Sequence, residues 1–219
     1  MNKITHHPSD ALLRSHVDGD LPESLAVGMA LHCDLCEHCK LKSERLTQEF
    51  AAKAWQVPVD VNVKTIDFTQ VLDGILNSDI ETSYLKEPSA EHIFIDSFHY
   101  ELPRVLTRYV DMKWNQMGAV SRARLIEEGA TRSNLLRINA GGVIPTHTHK
   151  GFELTLLLDG SFEDESGHYH KGDFIWLDTS HEHSPKTTDG CLCYTVQNAP
   201  LHFTQGISKL FNPIGNLLY

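Results

Sequence analysis

Apolar and polar residues alternate at helical spacing through the first part of the chain. Ser9 offers an N-cap before the segment ALLRSHV, whose leucines and valine give a short amphipathic helix. Pro22 and Glu23 suit the first turn of a second helix, which stays mostly apolar until His32. These patterns predict two short helices at the start of the chain.

The same spacing continues beyond the second helix. Apolar residues on one side predict a third helix from about Cys36 to about Trp55, and Pro58 breaks that pattern. The segment 68–76, FTQVLDGIL, predicts a fourth short helix. Because four short helices share only a limited core, a domain of this kind needs an additional crosslink.

The periodicity changes after a polar stretch at residues 77–91. Alternating segments follow at short intervals, each close to a turn signal. They occupy residues 119–126, 133–139, 151–158, 167–170, 173–177 and 191–197. Many short strands at this spacing are typical of a β-barrel or jelly roll. The sequence therefore predicts a multidomain chain, α then β, with a helical domain at residues 1–85 and a barrel domain at residues 93–219.

Composition and charge narrow the class of function. The 219 residues carry a formal net charge of −10, which disfavours direct binding to nucleic acid and suits a basic protein partner. The five cysteines are an odd number, and no segment resembles a signal peptide or a membrane span. We therefore expect a cytoplasmic protein with reduced thiols and no membrane partner.

A metal-binding pattern lies where the second and third predicted helices meet. His32, Cys36 and Cys39 have the spacing H-x3-C-x2-C, and an imidazole with two thiolates suits the tetrahedral preference of Zn²⁺. The alternative is buried cysteines that act as small apolar residues beside a surface histidine. A closed zinc site needs a fourth ligand, and a zinc ion would supply the missing crosslink. The residues left open for that position are His6, His7, Cys33 and His38.

A second group of potential ligands lies among the predicted strands. Residues 141–160 read G-x5-H-x-H-x3-E-x6-G, with His147, His149 and Glu153 at the three ligand-type positions. This spacing matches the first sequence motif of the cupins. Alternate residues of a strand point the same way, so both histidines are expected to face the barrel interior.

The second cupin motif is present in a modified form. The segment GDFIWLDTSHEH begins at residue 172 and places His183 at the position of the motif histidine. Asp178 and Ser180 stand where the motif usually has Pro and Gly, a departure that affects the turn more than the ligand. His181 competes with His183, because HEH on one strand would put both on the same face.

Three imidazoles and a carboxylate in a barrel are a ligand set for zinc, iron, manganese, nickel or copper. The alternative is a barrel whose pocket has lost its metal. Cys191 and Cys193 alternate in the segment CLCYTV and are more typical of an inward-facing core than of a redox pair.

These features together resemble the ChrR family of zinc-dependent anti-sigma factors. The resemblance rests on the order of the two parts, the opening HHPSDALL, the H-x3-C-x2-C motif and the cupin motifs, and it runs from about residue 4 to about residue 197. It implies two zinc ions per chain, one in each part. The implied ligands are His7, His32, Cys36 and Cys39 in the helical part and His147, His149, Glu153 and His183 in the cupin.

The resemblance also implies a regulatory function. The helical part would bind an extracytoplasmic-function sigma factor and cover surfaces that it needs for RNA polymerase. The cupin would release the sigma factor under oxidative stress such as singlet oxygen. The helical part carries more apolar residues than four short helices easily bury, which favours a partner surface. Edge strands could make the cupin a homodimer.

The alternative function comes from another class of protein. A metal-dependent cupin enzyme, such as a dioxygenase or an isomerase, would carry the helical zinc domain only for structure or assembly. A catalytic metal needs an open coordination position, and three histidines with one glutamate leave such positions on iron or manganese. The residues alone do not separate the two functions.

Overall fold

The computed structural model describes residues 3–56, 67–78, 92–95, 98–109 and 112–204. Three features of the sequence interpretation lie outside these residues: the break at Pro58, the greater part of the polar stretch at residues 77–91, and the segment after Thr204.

The chain forms two compact units. The first comprises residues 1–47 and 111–219, and the second comprises residues 48–110. The first unit therefore contains the first two helices, most of the third helix and the barrel, whereas the sequence predicted a division near residues 85 to 93. Since that segment lies outside the described residues, its role as a boundary stays a prediction.

The four helices predicted from the sequence are present. They are α1 (Asp10–Asp18), α2 (Glu23–Leu35), α3 (Glu37–Ala54) and α4 (Phe68–Leu76). The Ser9 hydroxyl accepts a hydrogen bond from the Leu12 amide, as expected of an N-cap. Gly19 ends α1 in the left-handed conformation, with φ at 78°. In the described part of the chain, no helix is long and apolar enough to span a bilayer.

The strands follow the helices, so the predicted order of α then β is confirmed. In the second unit they are β1 (His92–Ile95) and β2 (Phe98–Glu101), followed by a 3₁₀ helix at Arg104–Tyr109. In the first unit they are β3 (Trp114–Met117), β4 (Val120–Glu128), β5 (Thr131–Ile138), β6 (His147–His149), β7 (Glu153–Asp164), β8 (Gly167–His170), β9 (Phe174–Leu177), β10 (Glu182–His183), β11 (Cys191–Gln197) and β12 (Leu201–Phe203).

The barrel consists of two antiparallel sheets. The larger has the order β3-β4-β5-β11-β7-β8, with β9 also paired to β7. The smaller has the order β10-β6-β12. Its strands have only two or three residues each, which is too few for an alternation of apolar and polar residues to reveal them in the sequence. This small sheet brings the second histidine group together.

Helix α2 packs on the outer face of the larger sheet. A Cβ atom at Gly28 would lie only 2.9 Å from Cδ2 of Leu154, so the helix and the sheet approach more closely than a side chain would permit. The Tyr194 hydroxyl donates a 2.7 Å hydrogen bond to the Ser24 carbonyl oxygen. Met29 is completely buried. The apolar residues of α2 are therefore covered by the barrel, which accounts for part of the surplus noted in the helical sequence.

Candidate metal centres

The first centre lies where α2 meets α3. The potential ligand atoms of His7, His32, Cys36 and Cys39 all lie within 4.8 Å of one another. Cys36 follows α2 and its amide bonds to the His32 carbonyl oxygen, while Cys39 lies in the first turn of α3. Both sulfur atoms are 3.5 Å from Nδ1 of His7. The helix junction thus brings His32, Cys36 and Cys39 together, and the N-terminal segment adds His7.

The protonation of His32 suits a metal ligand. Its Nδ1 lies 2.9 Å from the Gly172 carbonyl oxygen, to which it can only donate. Its Nε2 is buried and has no hydrogen-bond partner within the described part of the chain. Burial lowers the pKa of His32 to about 4, which keeps the imidazole neutral at physiological pH. The orphaned Nε2 lone pair is therefore available to a cation.

Cys39 needs a cation to ionise. Burial, together with the neighbouring Cys36, raises the pKa of Cys39 to about 12. A bound divalent cation reverses this effect, because thiols that coordinate zinc lose their protons. Two imidazoles and two thiols whose ligand atoms lie within 4.8 Å of one another therefore fit Zn²⁺.

The other residues left open for this centre lie outside the group. The His6 ring makes an edge contact with the Tyr169 ring, with centroids 4.8 Å apart. His38 is exposed, and its ring centroid lies 5.5 Å from that of His7. Cys33 is half-buried, and burial raises its pKa to about 11. Of the two adjacent histidines, the structure brings His7 to the group.

Asp173 fastens the N-terminal segment to the barrel. Its Oδ1 accepts hydrogen bonds from the amides of Thr5 at 2.8 Å and His6 at 3.0 Å. Its Oδ2 accepts one from the His170 amide at 2.8 Å, and the Phe174 amide donates to the His6 carbonyl oxygen. The carboxylate is completely buried, and although burial alone raises its pKa, these amide donors lower it. Sequence reasoning missed this role because the donors lie 168 and 167 residues away.

Gly172 brings the barrel close to the same segment. Its φ is 94°, and a Cβ atom there would lie 2.4 Å from Cδ1 of Ile4. Its carbonyl oxygen is the group that orients His32. The turn at Gly172 and Asp173 thus orients His32 and holds the N-terminal segment that carries His7.

The second centre contains three buried imidazoles. Nε2 of His183 lies 3.1 Å from Nε2 of His147 and 3.3 Å from Nε2 of His149. His147 and His149 are alternate residues of β6, and His183 is the register partner of His147 on β10. The sequence expectation that both β6 histidines share one face agrees with this geometry.

The outer nitrogens of two imidazoles already have partners. Nδ1 of His147 lies 2.8 Å from the Pro145 carbonyl oxygen, and Nδ1 of His183 lies 3.0 Å from Oδ2 of Asp164. Each Nδ1 therefore carries a proton, which leaves two Nε2 lone pairs facing each other. Burial, followed by repulsion from His183, lowers the pKa of His147 to about 4. Three Nε2 atoms that converge in this way fit a metal ion.

Glu153 lies beside the imidazoles but outside the group of three. One carboxylate oxygen is 3.1 Å from Nδ1 of His149. The carboxylate also accepts hydrogen bonds from Thr155 Oγ1 and Gln197 Nε2, both at 2.8 Å. Burial alone would raise its pKa, but the three imidazoles and Thr155 lower it overall, so it stays a carboxylate. Its predicted place as the fourth ligand stays a prediction.

The modified second motif still forms a turn. Asp178 Oδ1 accepts hydrogen bonds from the Ser180 amide and hydroxyl, which replaces the Pro and Gly of the usual motif. His181 pairs with Asp178 at 2.9 Å and is exposed, whereas His183 is buried with the other imidazoles. His181 precedes β10, so the two histidines do not share a strand face as the sequence suggested.

Cys191 and Cys193 belong to the hydrophobic core of the barrel. Their sulfur atoms are 4.0 Å apart. The hydrogen bond with Cys191, together with burial, raises the pKa of Cys193 and keeps it a thiol. This environment agrees with the core interpretation. Asp164, the partner of His183, is a site residue that sequence reasoning missed, because the two residues are 19 positions apart.

Comparisons with known proteins identify relatives of the whole chain. Residues 103–201 match the family model described as the ChrR cupin-like domain. The chain is 31% identical over 216 residues to the anti-sigma-E factor ChrR of Cereibacter sphaeroides, covering 96% of this chain and 97% of that protein. It is also similar to the crystal structure of Rhodobacter sphaeroides SigE in complex with the anti-sigma ChrR, with a TM-score of 0.69 and 28% identity. That match covers 89% of this chain and 99% of the other.

Replacing Asp173 with Asn tests how far the barrel supports the first centre. The amide keeps one acceptor oxygen but loses the charge and the second acceptor. Zinc should leave the first centre about tenfold faster, the lower end of the effect of partners that orient metal ligands. The measurement is the time course of zinc release to a chromogenic chelator. The kinetic phase that is absent from Cys36→Ser is assigned to the first centre. Asp159→Asn, an exposed change on the same barrel, should leave the rate unchanged. Equal rates of zinc release from the wild type, Asp173→Asn and Asp159→Asn would contradict the role of Asp173.

Proposed function

Because the chain belongs to the ChrR family of anti-sigma factors, we propose that it binds an extracytoplasmic-function sigma factor and keeps it from RNA polymerase. The observation that carries this proposal is the extent of the similarity, which includes both the helical part and the barrel. Its relatives are named as anti-sigma factors, which supports regulation over the dioxygenase or isomerase alternative.

Helix α4 offers a surface for the partner. Its apolar residues recur at the spacing of one helix face and are exposed by about half or more. They are Phe68 (77%), Val71 (47%), Leu72 (54%), Ile75 (65%) and Leu76 (71%). Trp55, in the same unit, is 89% exposed. An apolar helix face of this kind is suited to a groove or helix of another protein.

The charge of the chain supports the same kind of partner. A net charge of −10 attracts a protein with basic, DNA-binding surfaces and disfavours nucleic acid itself. The proposed site of action is the cytoplasm, where sigma factors meet RNA polymerase. No membrane partner is part of the proposal, and a homodimer through the cupin is compatible with it.

We further propose zinc in the first centre, held by His7, His32, Cys36 and Cys39. Zinc supplies no reaction here, because four protein ligands leave no open position. The four side chains instead join the N-terminal segment to the junction of α2 and α3. This crosslink would hold the helical part in its binding conformation.

The second centre is proposed as the sensory half, with His147, His149, His183 and Glu153 around zinc, iron, manganese or nickel. Release of the sigma factor would follow oxidative stress of the singlet oxygen type. Strand β9 supports this connection, because it begins next to Asp173 and ends at Leu177, the register partner of Glu153. Asp173, which supports the first centre, is therefore separated from the second centre only by the four residues of β9.

Leu72→Asp tests the α4 surface. A charge in the middle of the apolar face should weaken sigma binding by at least about tenfold, because truncation or disruption of a buried anchor commonly costs that much. Gln70→Asp places the same charge on the polar side of α4 and should bind normally. Co-purification and inhibition of transcription give the readout, and wild-type affinity of Leu72→Asp would rule out α4 as the contact.

Cys36→Ser tests the first ligand set. The variant should lose one of two metal equivalents per chain and lose sigma binding with it, because the site stabilises the fold. Metal analysis and a binding assay on the same preparation measure both. Cys33→Ser, outside the group, should keep both, and a Cys36→Ser protein that retained its zinc and its binding would reject this ligand set.

His147→Ala and Glu153→Ala test the sensory role. Both should inhibit the sigma factor normally in unstressed cells, because neither residue lies in the first centre or on α4. Both should blunt the induction of sigma-dependent transcription by singlet oxygen, measured with a reporter gene, whereas His181→Ala should respond normally. Loss of inhibition equal to that of Cys36→Ser would mean that the two halves do not have separate roles.

A further inference from the structure

The barrel contains a cavity that His147 and His183 help to line. Its volume is about 560 Å³, within the range of about 300 to 1,000 Å³ that is usual for small-molecule sites. Most of the lining is apolar. The residues at this apolar part include Leu136, Ile138, Ile144, Phe162, Ile175 and Phe203. The cavity therefore has room and surface for an organic molecule as well as a metal ion.

A row of polar residues crosses the inner face of the larger sheet. Asn134 on β5, Thr195 on β11 and Thr155 on β7 are successive register partners, and all three line the cavity. Asn134 is only 3% exposed, and its Oδ1 makes no hydrogen bond with any residue that the structure describes. A buried amide oxygen in this state is costly, and most such atoms in proteins have a partner. A group that occupies the cavity can supply the missing donor.

Three charged side chains also line the cavity, those of Glu153, Asp164 and Arg122. The carboxylates of Glu153 and Asp164 both lie within 3.1 Å of an imidazole nitrogen. Arg122 on β4 is half-buried and contributes a cation to the lining. Its register partner is Leu136, two residues from Asn134, so the guanidinium and the amide arise from neighbouring positions of adjacent strands. An arginine at this place suits a carboxylate.

We propose that the barrel cavity binds a small hydroxylated carboxylic acid with an apolar body. Its carboxylate pairs with Arg122, its hydroxyl donates to Asn134, and its hydrocarbon part lies against the apolar lining. Because Arg122 and Asn134 are near neighbours, the hydroxyl belongs close to the carboxylate, as in a 3-hydroxy acid. An acid with a chain of about ten carbons is within the volume of the cavity.

Occupancy of the cavity reaches the helices through the thickness of one sheet. Thr155 and Thr195 face the cavity, whereas Leu154 and Tyr194, their neighbours in sequence, face α2 at Gly28. A molecule that displaces these strands therefore also displaces the surface on which α2 packs. This consequence rests on the proposed sensory role, whereas the binding site itself does not.

Titration calorimetry of the full, zinc-loaded chain with three ten-carbon probes tests the site. The probes are 3-hydroxydecanoic acid, decanoic acid and 1-decanol. The hydroxy acid should bind about fivefold more tightly than decanoic acid, the effect of one added hydrogen bond, and both acids more tightly than the alcohol. Absence of binding by either acid, or equal binding of acid and alcohol, would overturn the proposal.

Variants assign each contact. Asn134→Leu should bind decanoic acid normally and lose the preference for the hydroxy acid, and Asn134→Ala provides the same test if the leucine variant does not fold. Arg122→Gln should weaken both acids and leave the alcohol unaffected. Arg14→Gln is the control for the loss of one positive charge, because Arg14 is exposed on α1 and does not line the cavity.

The outcomes distinguish this proposal from the anti-sigma function. All titrations are made without a sigma factor, so the binding result does not depend on that role. A preference for the hydroxy acid that persists in both Asn134 variants would refute the assigned contact. Inhibition of the sigma factor by a chain that binds none of the acids would refute the cavity proposal alone.

Discussion

The rest of the structure depends on the contacts that the turn at Gly172 and Asp173 makes with the N-terminal segment. The Gly172 carbonyl oxygen orients His32, and the buried Asp173 carboxylate holds the amides of Thr5 and His6. Hydrogen bonds to an ionised and buried acceptor are among the strong ones in proteins. These contacts fix the position of the segment that carries His7 at the first centre. The helical part therefore supplies the potential ligands of the first candidate metal centre, and the barrel holds two of the segments that carry them.

One sheet links the two halves of the first unit. Its outer face receives α2 at Gly28, and its inner face bounds the cavity and the imidazole group. This explains why β7 and β11 are buried along most of their length instead of alternating between buried and exposed positions. Because protein interiors are close-packed, a change on one face is felt on the other. The fold thus offers a short physical path from the cavity to the helices.

The two metal centres differ in what surrounds them. The first has two imidazoles and two thiols close together, which is the ligand set of a closed, structural zinc site. The second has three imidazoles, two of them held by Pro145 and Asp164, and it adjoins a cavity. A site with an open side can exchange ligands and react with small molecules. In the proposed role the first centre maintains the conformation that binds the sigma factor, and the second responds to oxidative stress.

The sequence by itself determined the features that depend on near neighbours. Helical spacing predicted α1 to α4, the H-x3-C-x2-C motif predicted the ligands at the helix junction, and the H-x-H alternation predicted two inward imidazoles. Only the tertiary structure identified Asp173 and Asp164, placed α2 against the barrel, and held Glu153 beside His149 and outside the imidazole group. These features arise from contacts between residues that are up to 168 positions apart. A local pattern carries no record of such contacts, because chain topology and packing bring the partners together.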